Sequence, residues 1–279
     1  MAEHNVEVDD AFFDVLSIFS EAAKTIHADW LVVGATARIM LLEKLYGLPQ
    51  GRATQDIDFG VQVGDWEQYR ALCELLTKQG VVAAQRNPTK RFRTKQDRVF
   101  DLVPYGGVED KQGRVFWPPE HDDVMTVRGF DSAAHDAIAV TVNKALTVPV
   151  ASPRGLCALK LFAWQERHTQ HPGRDAQDIA YIIRHIEALY PADKLFNEHI
   201  TAVEQADYVI QHAGMFQLGI ETAAILTSEE QQFLATFIAA ELAQEDDSVF
   251  CREIQRYTGT TISTTIEFIQ YFHSGLTNI

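Results

Sequence analysis

The sequence predicts an α+β protein, a mixed β-sheet with flanking helices followed by a helical C-terminal domain. Three observations predict it. Between residues 10 and 150, segments of helical period alternate with short apolar or alternating runs of strand character. From Pro153 onward the composition turns helical. No internal repeat, low-complexity run or long linker separates the two parts, which places a soft boundary at 1–151 and 152–279.

The elements follow in order. Phe12, Phe13, Leu16, Phe19, Ala23 and Ile26 recur at helical spacing and predict an amphipathic helix from about Asp10 to His27, leading into a Leu31–Val33 strand. Ala35 to Tyr46 reads as a helix with Ile39, Leu42 and Leu45 on one face, ended by Gly47-Leu48-Pro49-Gln50-Gly51. A strand over Asp56–Val63 is followed by a helix capped by Asp65 and stopped by Gly80. Residues 81–84, 90–105, 124–128 and 138–150 have strand character, and Pro149 is expected to confine the last to a sheet edge. Helices are expected over Pro153–Arg167, Arg174–Ile186, Pro191–Ala213, Ser228–Gln244 and about Thr264–Phe272.

Composition narrows the function. Hydrophobic residues make up 46% and charged residues 23% of 279, which is ordinary for a soluble globular protein. A net charge of −15 argues against broad electrostatic attachment to nucleic acid or anionic membrane. With no basic flank and apolar core near the N-terminus and no long apolar run, the expectation is cytoplasmic with no membrane partner. Cys73, Cys157 and Cys251, widely spaced and odd in number, suit neither a disulfide framework nor a zinc site. One local exception to the acidic balance is Arg86, Lys90, Arg91, Arg93, Lys95 and Arg98. This patch suits either a protected strand edge or contact with nucleotide or RNA phosphates.

The candidate chemistry sits on Thr54-Gln55-Asp56-Ile57-Asp58-Phe59. Strand alternation places Asp56 and Asp58 on one face, with Ile57 and Phe59 turned to the other. Asp101, within Phe100-Asp101-Leu102, brings a third acid from a separate apolar strand. Three carboxylates suit a two-metal centre for phosphoryl displacement, with Mg²⁺ as the hard cation they prefer. Upstream, Trp30-Leu31-Val32-Val33 runs into Gly34-Ala35-Thr36-Ala37-Arg38, a strand-turn-helix that could cradle phosphates. It lacks both the Gly-Lys-Ser/Thr ending of a P-loop and a three-glycine fingerprint. Lys160 lies beside Leu159 and Leu161 on an apolar helix, where an ammonium needs water or a partner. Asp175 and Asp178, one turn apart, share a helix face, and Asp175 also suits a helix start.

These residues resemble the nucleotidyltransferase superfamily of DNA polymerase beta, and more closely the AbiEii/AbiGii-type nucleotidyltransferase toxin family. The resemblance rests on Gly34-Ala35-Thr36-Ala37, on Arg52 through Phe59, and on the later Leu159-Lys160-Leu161-Phe162-Ala163-Trp164, Arg167 and Arg174-Asp175-Ala176-Gln177-Asp178-Ile179. It covers roughly residues 28–190. Ala35 departs from the family's usual Gly or Ser, a change that alters at most one phosphate contact and leaves the backbone route intact.

The resemblance implies a Mg²⁺-dependent transfer of a nucleoside monophosphate from an NTP to an acceptor hydroxyl. Asp56, Asp58 and Asp101 would be the metal ligands, with Asp101 also helping to deprotonate the acceptor. Lys160 would neutralise the leaving pyrophosphate. Gly34, Ala35, Thr36 and Arg38 would form the nucleotide seat, supported by Lys160, Asp175 and Asp178. A bacterial toxin–antitoxin or phage-defence setting, a tRNA acceptor and a cognate antitoxin are implied too. Two other readings stay open: an aminoglycoside-type enzyme whose acidic cleft attracts a cationic acceptor, and a non-catalytic nucleotide-binding interaction module.

Overall fold

The computed structural model describes residues 4–54, 56–83, 90–118 and 123–278. Arg86 of the basic patch, Gln55, and His121 and Asp122 fall outside them. Two compact units divide the chain, Met1–Leu156 and Cys157–Ile279.

The strands of the first unit are β1 (Asn5–Val6), β2 (Trp30–Val33), β3 (Asp56–Val63), β4 (Val82–Ala83) and β5 (Arg91–Arg93). They continue with β6 (Val99–Gly106), β7 (Arg114–Phe116), β8 (Val124–Thr126), β9 (Ile138–Val142) and β10 (Leu146–Val150). Helix α1 (Asp10–Thr25) precedes β2, α2 (Gly34–Arg38) continues as a π-helix over Ile39–Leu45, and α3 (Trp66–Lys78) follows β3. A short α4 (Phe130–His135) precedes β9. Among the described residues, eight strands form a mixed sheet in the order β1-β9-β10-β2-β3-β6-β5-β4. At its centre β3 and β6 run parallel, while β2 and β5 flank them antiparallel.

Alternation explains this centre. In β3, Ile57, Phe59, Val61 and Val63 are buried while Asp56 and Asp58 are not; in β6, Phe100 and Leu102 are buried on either side of Asp101. The apolar face meets α1. Phe59 stacks on Phe19 at 4.2 Å between centroids and meets Trp30 and Phe100 edge-on, while Phe92 of β5 stacks on Phe100 at 5.3 Å. Burial of these rings fixes the register, because a one-residue slip would carry the acids into the core. Asp9 caps α1 by accepting from Phe12 N, and Asp65 caps α3 by accepting from Glu67 N and Gln68 N.

Pro149 does not lie on an edge. Strand β10 is interior, between β9 and β2. Its pairing with β2 is confined to Val150 opposite Val32, extended by Ala151 N donating to Val32 O at 3.0 Å, so it starts one residue beyond the missing proline N–H.

The second unit is helical. Helix α5 (Pro153–Arg167) leads to α6 (Arg174–Arg184), α7 (Ile186–Leu189), α8 (Ala192–Glu198), α9 (Ile200–Gln205) and α10 (Ile210–Ile225). Then come α11 (Ser228–Leu242), α12 (Val249–Thr258) and α13 (Ile262–Leu276). The helix expected over Pro191–Ala213 is three pieces, broken at His199 and at Asp207 and Tyr208, which adopt positive φ of 47° and 63°. Helix α12 was not anticipated; Ser248 caps it by accepting from Cys251 N. Helices α10 and α13 cross so closely that a Cβ on Gly275 would lie 1.9 Å from Phe216 O. All three cysteines are buried free thiols, and burial pushes Cys73 and Cys157 up to about 12. Among the described residues, no helix is long and apolar enough to cross a membrane.

Candidate functional site

Sheet register assembles the acids of the first unit. Asp58 of β3 stands directly opposite Asp101 of β6, and on its other side Asp101 stands opposite Arg91 of β5. Residues opposite one another in a sheet share a face, so Asp56, Asp58, Asp101 and Arg91 all project from the same side. Two of the acids converge on the arginine. The Arg91 guanidinium donates from Nε to Asp101 Oδ1 at 2.7 Å and from Nη2 to Asp101 Oδ2 at 2.7 Å, while Nη2 also reaches Asp56 Oδ2 at 2.6 Å. The Asp101 hydrogen bonds, helped by both negative charges against partial desolvation, hold Arg91 above the usual arginine range. Sequence reasoning gave Arg91 a protected-edge or phosphate-contact role. The available signal was its place in Arg91-Phe92-Arg93, whose buried Phe92 sets Arg91 on the side where Asp101 projects.

The turn after β2 adjoins the third acid. Gly34 has φ of +67°, and a Cβ built there would lie 2.2 Å from Asp58 Oδ2. Only glycine permits both the backbone angle and this approach. Ala35 is buried in the same turn, and Thr36 donates its hydroxyl to Asp56 O at 3.0 Å, tying the turn to the start of β3. Arg38 is also buried. Its Nη2 donates to Arg52 O at 2.6 Å and its Nη1 to Glu43 Oε1, while Gly51 N donates to the same carboxylate at 3.0 Å. Arg38 thus braces the segment that enters β3, a task the motif did not reveal. A cleft of about 200 Å³ opens beside Thr36 and Asp56, with Phe12, Ile39, Met40 and Ile57 as apolar walls.

Three further cations of the basic patch are matched with acids. Lys90 pairs with Asp123, Arg93 with Asp97 at 2.5 Å, and Arg98 with Asp9 at 2.7 Å. Trp117 is buried edge-on against Trp66 and Tyr69.

In the second unit, Lys160, Asp175 and Asp178 come together. Lys160 Nζ lies 3.1 Å from Asp175 Oδ1 and 2.6 Å from Asp178 Oδ2, and all three are buried. Arg167 adds a two-pronged contact to Asp175, from Nε to Oδ2 and from Nη2 to Oδ1, each at 2.8 Å. Burial alone would push the Asp175 carboxyl up. Lys160 and Arg167 outweigh it and hold that carboxyl well below the usual carboxylate range. Lys160 therefore has its partner within its own unit, as its apolar neighbours require.

Carboxylates on adjacent strands are hard oxygen donors of the kind that hold Mg²⁺. In the described arrangement no three acids, histidines or cysteines are disposed to cage an ion, and Arg91 stands between Asp56 and Asp101. The donor set fits a divalent cation once that guanidinium is replaced as counter-charge.

The central parallel pair of the mixed sheet thus sets three acids on one face, with one of them, Asp58, against the Gly34 turn. The chain belongs to the family described as "Nucleotidyl transferase AbiEii toxin, Type IV TA system", whose match covers residues 18–261 and so reaches beyond the motifs at 28–190. It is a nucleotidyltransferase of a toxin family, and a type IV toxin implies an antitoxin partner. Among solved structures, the chain is similar to a Thermotoga maritima CCA-adding enzyme complexed with tRNA, at 13% identity, with 97% of this chain and 82% of that chain covered and a TM-score of 0.28. No curated protein matches.

Two outcomes test this geometry. Gly34→Ala places a methyl in left-handed backbone against Asp58, and we expect it to lower stability by about 2 kcal/mol in urea unfolding; unchanged stability contradicts the close approach. The second concerns Asp175, whose folded carboxyl titrates below its unfolded value. Its contribution is therefore complete above about pH 4 and is lost as pH falls through the folded value. Asp175→Asn should cost about 3 kcal/mol at pH 7 and flatten the loss of stability below pH 4; an unaltered acid limb contradicts the ion network.

Proposed function

We propose that the protein transfers a nucleoside monophosphate from an NTP to an acceptor hydroxyl, with tRNA as the acceptor, as the toxin of a toxin–antitoxin or phage-defence system. The observation that carries this reading is the convergence of Asp56 and Asp101 on one cationic group, with Asp58 in register beside them and against the Gly34 turn. In the reaction the acceptor oxygen bonds to the α-phosphorus, the bond to pyrophosphate breaks, and the hydroxyl proton passes to the Asp101 carboxylate. Asp56, Asp58 and Asp101 would hold Mg²⁺, which when bound supplies positive charge to the triphosphate. The Gly34-Ala35-Thr36 turn seats phosphates beside Asp58. For Lys160, contact with the leaving pyrophosphate rests on the family resemblance, and Asp175 and Asp178 hold its ammonium in place.

A second reading has its own support. With a net charge of −15, a cationic small-molecule acceptor such as an aminoglycoside would be attracted where RNA would be repelled.

The test is transfer of label from each α-³²P NTP with Mg²⁺ into total bacterial tRNA, or into an aminoglycoside, for wild type and Asp58→Asn. We expect label in tRNA that falls at least about a hundredfold in the variant. Label in the aminoglycoside alone favours the second reading. Mg²⁺–NTP binding with no transfer to either points to a different acceptor, and absence of binding as well favours the non-catalytic interaction module.

A further inference from the structure

The geometry points to Arg91 as a built-in stand-in for the metal, a positioning residue that holds Asp56 and Asp101 together before nucleotide arrives and that a divalent cation must displace. This rests on the reading of these acids as metal ligands.

Charge makes the case. Asp58 and Asp101 stand opposite each other on paired strands and Asp56 lies two residues away, so carboxylates crowd one face of the sheet. Like charges placed so are mutually repulsive and need a cation between them. Arg91 supplies it with three hydrogen bonds, a two-pronged grip on Asp101 and one bond to Asp56. A planar guanidinium suits this task in a way that an ammonium does not, since its fork satisfies both oxygens of one carboxylate while a further N–H reaches the other. Its position on β5 directly opposite Asp101 keeps it within reach.

The clamp is also releasable. Arg91 is about half exposed, at 49%, while Asp56 and Asp101 are 27% and 24% exposed, so the bonds form where water can compete. A divalent ion concentrates two charges on the same oxygens and has no bond geometry to satisfy at the guanidinium. Because metal and arginine bind the same oxygens of Asp56 and Asp101, each excludes the other. If Arg91 is closed in roughly nine molecules of ten, apparent metal affinity is about tenfold weaker than that of the open acids. Once released, the guanidinium remains beside the acids, on the face where the nucleotide phosphates are proposed to sit.

The experiment is Mn²⁺ binding without nucleotide, followed by the electron paramagnetic resonance of the free ion. Wild type, Arg91→Ala, Arg91→Lys and Asp101→Asn are compared, each first confirmed as folded by circular dichroism. We expect Arg91→Ala to bind Mn²⁺ about tenfold more tightly than wild type and Arg91→Lys several-fold more tightly, because lysine keeps the charge but not the fork. Asp101→Asn should weaken binding. Should Arg91→Ala fail to fold, Arg91→Lys carries the comparison alone. Wild-type affinity in Arg91→Lys would mean that charge alone acts, which overturns the clamp. Unchanged or weaker binding in Arg91→Ala overturns it too, and continued sensitivity to Asp101→Asn would then show the metal site intact. Binding insensitive to Asp101→Asn would overturn the metal-site reading and the clamp together.

Discussion

Everything proposed for this protein depends on the parallel pairing of β3 with β6. That pairing is local in space and distant in sequence: Asp58 and Asp101 stand opposite each other although they are 43 positions apart in the chain. The force that sets it is apolar. Phe59 and Phe100 must both reach the face covered by α1, where Phe19 and Trp30 wait for them, and the pleat then leaves the acids no choice of side. The acidic face is a consequence of core packing. Carboxylate repulsion opposes the arrangement, and ring burial on the opposite face outweighs it.

The two units handle buried or crowded charge in different ways. In the first, acids cluster at a surface where a guanidinium lends them temporary neutrality and water remains close. In the second, Lys160 is sealed among Asp175 and Asp178 with Arg167 completing the set. Removal of any one partner there leaves an uncompensated charge out of water, so this network fixes geometry tightly. The first cluster suits exchange of counter-charges; the second suits a fixed arrangement.

Much of the architecture was legible because the chain is locally consistent. The Ile57/Phe59 alternation, the Asp65 cap and the Gly34 turn each follow from short-range rules, and each is present in the fold. What escaped depends on partners far along the chain. The interior place of β10 could not be read from Pro149, because it depends on β2 pairing only at Val150. The breaks at His199 and at Asp207-Tyr208 interrupt a run with no glycine and, after Pro191, no proline to announce them. At the candidate site, the acids and the turn were visible as motifs. The parts played by Arg91, which stood out only as one cation of a basic patch, and by Glu43 were not, since they depend on three strands, or a helix and the loop after it, being brought together.

The most direct measurement is the anomalous scattering of Mn²⁺ in crystals of the protein grown with an NTP analogue whose α–β bridge is methylene. The expected result is an ion about 2.0–2.5 Å from carboxylate oxygens of Asp56 and Asp101, with Arg91 swung away from both and the triphosphate beside the Gly34 turn. An ion bound away from these acids, or a triphosphate seated with Arg91 still bridging Asp56 and Asp101, would contradict the account.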